Sequence, residues 1–182
     1  MSSVARPIIK QIKDSRDALD FFEKVSLPEE DEKTQDIIMN FPTVYIHNWQ
    51  DSGAFEVYVG ETNNIFKRTR QHYDAALNQP GWQSKLLKKN ASLFIIGHEH
   101  FNKSLTLDIE NRLMHYMMSV ERVKHVYNLR DNPQTSYYPM EEFDEIFSKI
   151  WRGLRKENKN LFPTESAIKD SSAKISVTLA DS

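Results

Sequence analysis

Two strand-like segments that lie close together in the chain constrain its fold most. Residues 43–47 (TVYIH) and 54–59 (AFEVYV) are rich in β-branched and aromatic residues, and the connection between them contains the turn-forming triplet Asp51, Ser52 and Gly53. A short polar connection with a glycine joins neighbouring antiparallel strands. The spacing therefore predicts a β-hairpin in this part of the chain.

A helix is predicted directly after the hairpin. Thr62, Asn63 and Asn64 follow Gly60 and are residue types that cap helix N-termini. The apolar positions that begin at Ile65 repeat at helical spacing. The second strand of the hairpin should therefore run into a helix across a short polar turn.

The rest of the pattern predicts an α+β fold with a small three-stranded, mainly antiparallel sheet flanked by helices. Residues 92–97 (SLFIIG) predict the third strand, which is buried, and an apolar stripe over residues 105–123 predicts a core helix. Pro139 suits the first turn of a last helix whose apolar residues repeat as far as Leu154.

These elements suggest three regions. Residues 1–40, where Ile12 and Leu19 fall near one helical face, predict an N-terminal helical arm. Residues 41–160 form the central domain with its C-terminal helix. Residues 161–182 end in a small, polar and weakly patterned stretch, which is typical of a flexible tail.

Composition excludes several classes of protein. The 182 residues include 10 Phe, 7 Tyr and 3 Trp, enough large apolar side chains for a folded core. No cysteine is present, so a disulfide framework and a thiolate nucleophile are excluded, and a zinc site would need His and carboxylates alone. His98 and His100 lack the spacing of a zincin helix and favour a loop at a strand end. No apolar run is long enough to span a membrane, and we expect a cytoplasmic protein.

Charge is distributed unevenly, although the formal net charge is only −2. Residues 1–40 contain six basic and nine acidic side chains, whereas residues 61–90 contain six basic and two acidic ones. Two interpretations are open: a nucleic-acid-binding face, or an ordinary fluctuation among surface helices. Trp82 in this stretch either stacks on an unpaired base or packs in the core. The candidate nucleic-acid contacts are Lys67, Arg70, Lys85, Lys88, Lys89, Lys103 and Asn128.

The spacing of a few polar residues carries a resemblance to a known family. Tyr45 lies in the first strand, Tyr58 begins Tyr-Val-Gly in the second, and Arg68 and His72 follow Tyr58 by ten and fourteen residues. This order, over residues 43–130, resembles the GIY-YIG nuclease superfamily. The family's metal-binding glutamate then corresponds to Glu110 in LTLDIENRLMHYM, and its later asparagine to Asn128 in HVYNLR.

The resemblance implies a metal-dependent endonuclease that cuts DNA, or RNA, with Mg²⁺ or Mn²⁺ held by Glu110. Arg68 would neutralise phosphate charge, because its planar fork matches phosphate oxygens. A tyrosine oxygen would act as general base or position the water: either Tyr45 as base with Tyr58 orienting the water or phosphate, or the reverse. His72 would accept a proton from Tyr45 or contact phosphate as a cation.

One departure from the family pattern opens an alternative. The residue after Tyr-Val-Gly is often Lys or Gln in the family, but here it is Glu61. Glu61 is a surface position of no consequence, a second contact to metal-bound water, or a sign of weak catalysis. In the last case the chain would be a DNA-binding module of the same fold. A purely structural interaction protein would require the spacing to be coincidental.

A partner protein is also implied by resemblance. The block from Gly97, which begins GHEHFNKSLTLDIENRLMHY, through LFPTESAIKD at residues 161–170 resembles the version of this domain at the N-terminus of larger bacterial proteins that carry a helicase-like ATPase module. The 182 residues contain no phosphate-binding Walker loop. A helicase-like ATPase would therefore be a partner or a module absent from this chain.

Overall fold

The computed structural model describes residues 5–78, 81–87, 90–127 and 140–168, and within them a five-stranded mixed sheet carries helices on both faces. The strand order is β1-β4-β2-β3-β5. The strands are β1 (Ile8–Lys13), β2 (Thr43–Asp51), β3 (Ala54–Thr62), β4 (Ser92–Gly97) and β5 (Val123–Tyr127). The helices are α1 (Arg16–Phe21), α2 (Glu32–Asn40), α3 (Ile65–Asn78), α4 (Lys103–Met118) and α5 (Met140–Glu157), with shorter helical turns at Phe22–Ser26, Leu27–Glu29 and Trp82–Leu87.

The predicted hairpin is confirmed. β2 and β3 pair antiparallel from Thr43 opposite Thr62 to Asp51 opposite Ala54. The two residues between them, Ser52 and Gly53, both have positive φ, at 53° and 83°. A two-residue turn of this kind matches the right-handed twist of the strands, which explains why a glycine is needed in the second position.

The sheet is larger than the three-stranded, mainly antiparallel sheet that the sequence predicted. The centre β4-β2-β3 matches that prediction, since β4 lies antiparallel to β2. β5 adds a strand parallel to β3. The apolar stripe that predicted a helix to residue 123 ends as a helix at Met118, and five residues of the following chain join the sheet.

β1 corrects the expected helical structure of the first residues. Ile8–Lys13 is an edge strand antiparallel to β4, with Ile8 opposite Gly97 and Lys13 opposite Ser92. Its partner lies far along the chain, so six half-exposed residues carry no local signal of pairing. The start of the chain therefore belongs to the central sheet, and the helical turns follow only from Arg16.

The two faces of the sheet bury different cores. On one face, α4 and α5 cover β-strand residues such as Val44, Ile46 and Val59. On the other face, residues of α1 and α3 and the 82–87 turn cover Tyr45 and Tyr58. The predicted last helix is confirmed as α5, while Pro139 lies outside the described residues.

The region expected to be a flexible tail begins inside the folded core. Leu161, Phe162 and Ile168 are buried among residues of α4 and α5, and the chain from 169 onward lies outside the described residues. Among the helices that the structure describes, none combines the length and apolar character required to span a membrane.

Candidate active site

Two tyrosines meet on one face of the hairpin because of its register. Tyr45 lies opposite Gly60 and His47 lies opposite Tyr58, so Tyr45 and Tyr58 are diagonal neighbours with ring centroids 6.1 Å apart. A Cβ on Gly60 would lie 2.5 Å from the Cζ and hydroxyl atoms of Tyr45. The glycine of the Tyr-Val-Gly motif is therefore the surface on which the Tyr45 ring rests.

Helix α3 brings two further predicted residues to these tyrosines. Asn64 caps the helix, since its Oδ1 accepts a hydrogen bond from the Lys67 backbone N–H at 2.9 Å. Arg68 and His72 lie one turn apart on the helix. The Nε2 of His72 is 3.1 Å from the Tyr45 hydroxyl, and its ring meets that of Tyr58 edge-on at 5.2 Å.

Burial determines the charge state of the hydrogen-bonded pair. It raises the pKa of Tyr45, an effect that Tyr58 adds to and Arg68 only partly opposes. It also lowers the pKa of His72 to about 3, with further contributions from His47 and Arg68. Near neutral pH the pair therefore consists of a protonated phenol and a neutral imidazole.

Arg68 supplies the positive charge at the edge of this cluster. Burial lowers its pKa, but interactions with Tyr45 and Tyr58 outweigh that effect and the pKa is raised. The guanidinium also donates from Nη1 to Oε1 of Gln71 at 3.3 Å. The residue is only partly buried, so its fork remains accessible to an anion.

Three polar residues in the cluster were not found by sequence reasoning. Nδ1 of His47 is 2.6 Å from Oδ2 of Asp14, and the Tyr73 hydroxyl donates to Oδ1 of Asp14 at 2.7 Å. Nε2 of His47 is buried without a hydrogen-bond partner among the described residues. His47 could have been found from the sequence, because it lies two residues after Tyr45 and therefore on the same face of the strand. Asp14 could not, because it comes from the segment that was expected to be a helical arm.

Trp82 closes the cluster from the side of the 82–87 turn. Its ring stacks on Tyr58 with centroids 4.1 Å apart and an interplanar angle of 13°. Its ring also lies 5.0 Å from that of His72 and 5.6 Å from that of His47. The packing interpretation of this residue therefore describes the structure, and stacking on a base remains a prediction.

Glu110 has a different setting. It is 3% exposed on α4, whose apolar residues pack on the face of the sheet opposite to Tyr45. Glu61 belongs to that face too: it forms an ion pair with Lys103, accepts a hydrogen bond from Thr106 at 3.3 Å, and has a side chain only 10% exposed. Glu61 is thus not an exposed surface residue.

The donor set permits only a sparse metal site. The described residues contain no group of three or more His, Cys, Asp or Glu side chains that could hold a metal ion. Glu110 alone would leave most coordination positions to water and phosphate oxygens. Mg²⁺ commonly retains several waters and uses one or two carboxylates, so a single glutamate is chemically compatible with it.

Most of the predicted nucleic-acid contacts that can be placed are neutralised by acids. Arg70 pairs with Asp20 and Glu23 of the 16–26 segment. Lys85 pairs with Glu56, and Lys103 with Glu61. Lys67 is exposed and has no ion pair with a described residue. The predicted contacts Lys88, Lys89 and Asn128 lie outside the described residues.

The His98–His100 loop is held by ordinary contacts. Nε2 of His98 lies 3.0 Å from the Ala5 carbonyl oxygen, and His100 pairs with Glu142. The loop interpretation of these histidines agrees with this packing.

Comparison with known proteins gives no independent assignment. No family model, no curated protein and no solved structure matches this chain. The resemblance to GIY-YIG nucleases therefore depends on the motif residues themselves and on the cluster they form.

Proposed function

We propose that this chain is a GIY-YIG-type endonuclease that hydrolyses phosphodiester bonds, most naturally those of DNA, in the cytoplasm. The observation that carries the proposal is the hydrogen bond between Tyr45 and His72 inside a cluster with Tyr58 and Arg68. Four residues whose spacing alone suggested the family meet on one face of the hairpin. Their chemistry is what hydrolysis of a phosphodiester requires.

Arg68 would bind the phosphate. Hydrolysis places extra negative charge on the equatorial oxygens of five-coordinate phosphorus, and a guanidinium can donate two parallel hydrogen bonds to them. Arg68 lies in the first turn of α3, where the positive end of the helix dipole also favours an anion. A phosphate held there would lie beside both tyrosine hydroxyls.

The tyrosine–histidine pair would handle the proton of the attacking water. Tyr45 would take the water proton on its oxygen as its own proton moves to Nε2 of His72 along the 3.1 Å contact. This transfer avoids a free phenolate, which the raised pKa of Tyr45 makes costly. It also requires the negative charge of the bound phosphate to raise the low pKa of His72, because burial alone disfavours the imidazolium. Tyr58 would orient the water or phosphate; the reverse assignment of the two tyrosines is tested by the same variants.

Glu110 would hold the Mg²⁺ or Mn²⁺ that the family implies. Because α4 packs on the face opposite to Tyr45, a divalent cation there would neutralise the departing 3′ oxygen only for a phosphate that lies across the end of β3, where Thr106 of α4 reaches Glu61. Glu110 is a buried residue of α4, which is consistent with a carboxylate whose orientation is fixed.

Cleavage of labelled duplex, single-stranded, forked and supercoiled DNA, and of RNA, tests the proposal. Reactions contain Mg²⁺, Mn²⁺ or chelator, and compare Arg68→Ala and Glu110→Gln with the matched controls Arg155→Ala and Glu121→Gln. We expect metal-dependent cuts that fall by about 100-fold or more in Arg68→Ala and Glu110→Gln only. Full activity in both variants would refute the nuclease assignment.

A DNA-binding module of the same fold is the second candidate. The observation that favours it is Glu61, which adds a carboxylate directly after Tyr-Val-Gly and is paired with Lys103. Such a module would bind DNA and recruit or target a helicase-like ATPase. Salt-sensitive binding in chelator, without cuts under any metal condition, would select this candidate over the enzyme.

A further inference from the structure

A basic groove of about 530 Å³ lies between the start of β1 and the last turns of α5. Arg6 and Ile9 line one wall, and Lys149, Arg152 and Lys156 line the other, with Glu157 as the acid at its rim. The groove therefore combines four cations with one carboxylate. It belongs to neither the tyrosine cluster nor the basic stretch at 61–90.

Local geometry explains why the groove forms. Lys149, Arg152 and Lys156 recur at helical spacing and so share one face of α5. A Cβ on Gly153 would lie 2.4 Å from Cδ1 of Ile9, so the glycine lets β1 approach the helix closely. The negative end of the helix dipole favours cations on α5, but Arg6 comes from another element, and the dipole does not account for it.

The cations of the groove are less neutralised than those of the basic stretch. Arg6, Arg152 and Lys156 form no ion pair with a described residue, and Arg152 donates only to the Ser148 carbonyl oxygen of its own helix. Lys149 pairs with Glu145 one turn earlier. In the basic stretch, Arg70 and Lys85 have carboxylate partners and Lys67 has none. The groove is thus the better placed of the two surfaces to attract a polyanion.

Strand register places the groove at the same end of the sheet as the candidate active site, but on the opposite face, because Ile9 and α5 pack on the face away from Tyr45 and Tyr58. Ile9 aligns across the sheet with Ile96, then Val44, then Glu61, which directly follows Gly60. Three strand spacings between β1 and β3 amount to about 14 Å along the sheet. DNA that contacts both the groove and the tyrosines must also pass around this end of the sheet, from one face to the other.

We propose that this groove binds the phosphate backbone of DNA outside the segment that is cut. The inference rests on the proposed function, since it names a second contact for the same substrate. Cations on two walls suit successive phosphates, and such contacts position a strand without reading its sequence. The groove would therefore raise affinity for longer DNA and leave the chemical step unchanged.

Binding of a fluorescein-labelled duplex of about 30 base pairs, measured in chelator over a salt series, tests the groove. The variant Arg152→Gln/Lys156→Gln is compared with Lys24→Gln/Lys124→Gln, which removes the same charge from exposed positions elsewhere. Arg6→Gln tests the opposite wall. Thermal unfolding of each variant verifies that the fold is retained.

We expect the salt slope of log K to fall by about 2 in the groove double variant and by about 1 in Arg6→Gln, with little change in the control. In the cleavage assay, KM should rise and kcat should stay constant. Equal losses of DNA affinity in the groove and control variants would overturn the inference. It would also be overturned if the groove variants lost binding to anionic lipid vesicles but kept the DNA affinity of the wild type. Binding is measured without metal, so its outcome does not depend on cleavage. The groove inference can therefore hold if the nuclease proposal fails, and it can fail if the nuclease proposal holds.

Discussion

Asp14 and His47 form a hydrogen bond of 2.6 Å between two side chains that are both 0% exposed. Asp14 follows the edge strand β1, whereas His47 lies in the central strand β2, two places away in the sheet. The carboxylate also accepts the Tyr73 hydroxyl of α3. One buried acid thus ties the edge strand, the hairpin and the helix that carries Arg68 and His72.

Asp14→Ala should therefore be strongly destabilising. It leaves the buried Nδ1 of His47 and the Tyr73 hydroxyl without their partner, and breaking such a buried pair costs about 3 kcal/mol or more. Urea unfolding gives the free energy of unfolding, and Asp17→Ala, which removes an exposed acid nearby, is the control. A loss below about 1 kcal/mol would show that the pair contributes little.

Gly60→Ala should displace Tyr45. The added Cβ would meet the ring at 2.5 Å, so the ring must move and its contact with His72 must lengthen. We expect a loss of about 1–3 kcal/mol in the free energy of unfolding and a larger relative loss of cleavage. Gly81→Ala is the control because its Cβ would meet only the flexible end of Gln83. Equal stability of both variants would contradict the close approach.

His72 should make the protein less stable in mild acid. Its pKa is about 3 in the folded chain against an ordinary value of 6.5, so the unfolded chain binds the proton first. Stability is therefore complete above pH 6.5 and falls as the pH drops toward 3, by about 3 kcal/mol at pH 4. Unfolding free energies measured across this range should vary less with pH in His72→Gln. The exposed His115→Gln should follow the wild type; a His72→Gln curve that does the same would refute the assignment.

Releasing Arg70 should strengthen DNA binding. Asp20 and Glu23 hold its guanidinium and raise its pKa, so Asp20→Asn/Glu23→Gln leaves the cation free for phosphate. We expect tighter binding and a salt slope steeper by about 1. The control Asp17→Asn/Glu29→Gln changes the net charge equally at exposed positions. An equal gain of DNA affinity in both double variants would show that only the change in net charge matters, and would contradict a specific role for Arg70.

Local signals in the sequence were sufficient for the centre of the fold. The Ser52-Gly53 turn, the Asn64 cap and the apolar run 92–97 each act over a few residues, and each element is present where it was predicted. The edge strands were missed because their evidence is not local. β1 is half exposed and pairs with a strand near residue 97, and β5 has only five residues after a long helix.

The site residues, too, were predictable where their contacts are local in sequence and were missed where their contacts depend on distant segments. The spacing from Tyr58 to Arg68 and His72 predicted residues that do meet, because strand and helix geometry fix short separations. Asp14 was missed because its contact with His47 depends on the pairing of β1. The neutralisation of Arg70 was missed for a similar reason: no local pattern shows which acid a surface arginine will meet.

The pairing of β1 with β4 determines the order in which the sheet can fold. During synthesis residues 8–13 leave the ribosome well before their partner strand, which ends at Gly97. The hairpin 43–62 can close early, because its strands are adjacent, whereas the edge strand must wait for about half the chain. His47 consequently receives its carboxylate late, since the pocket is complete only when β1, which is made before the hairpin, pairs with β4.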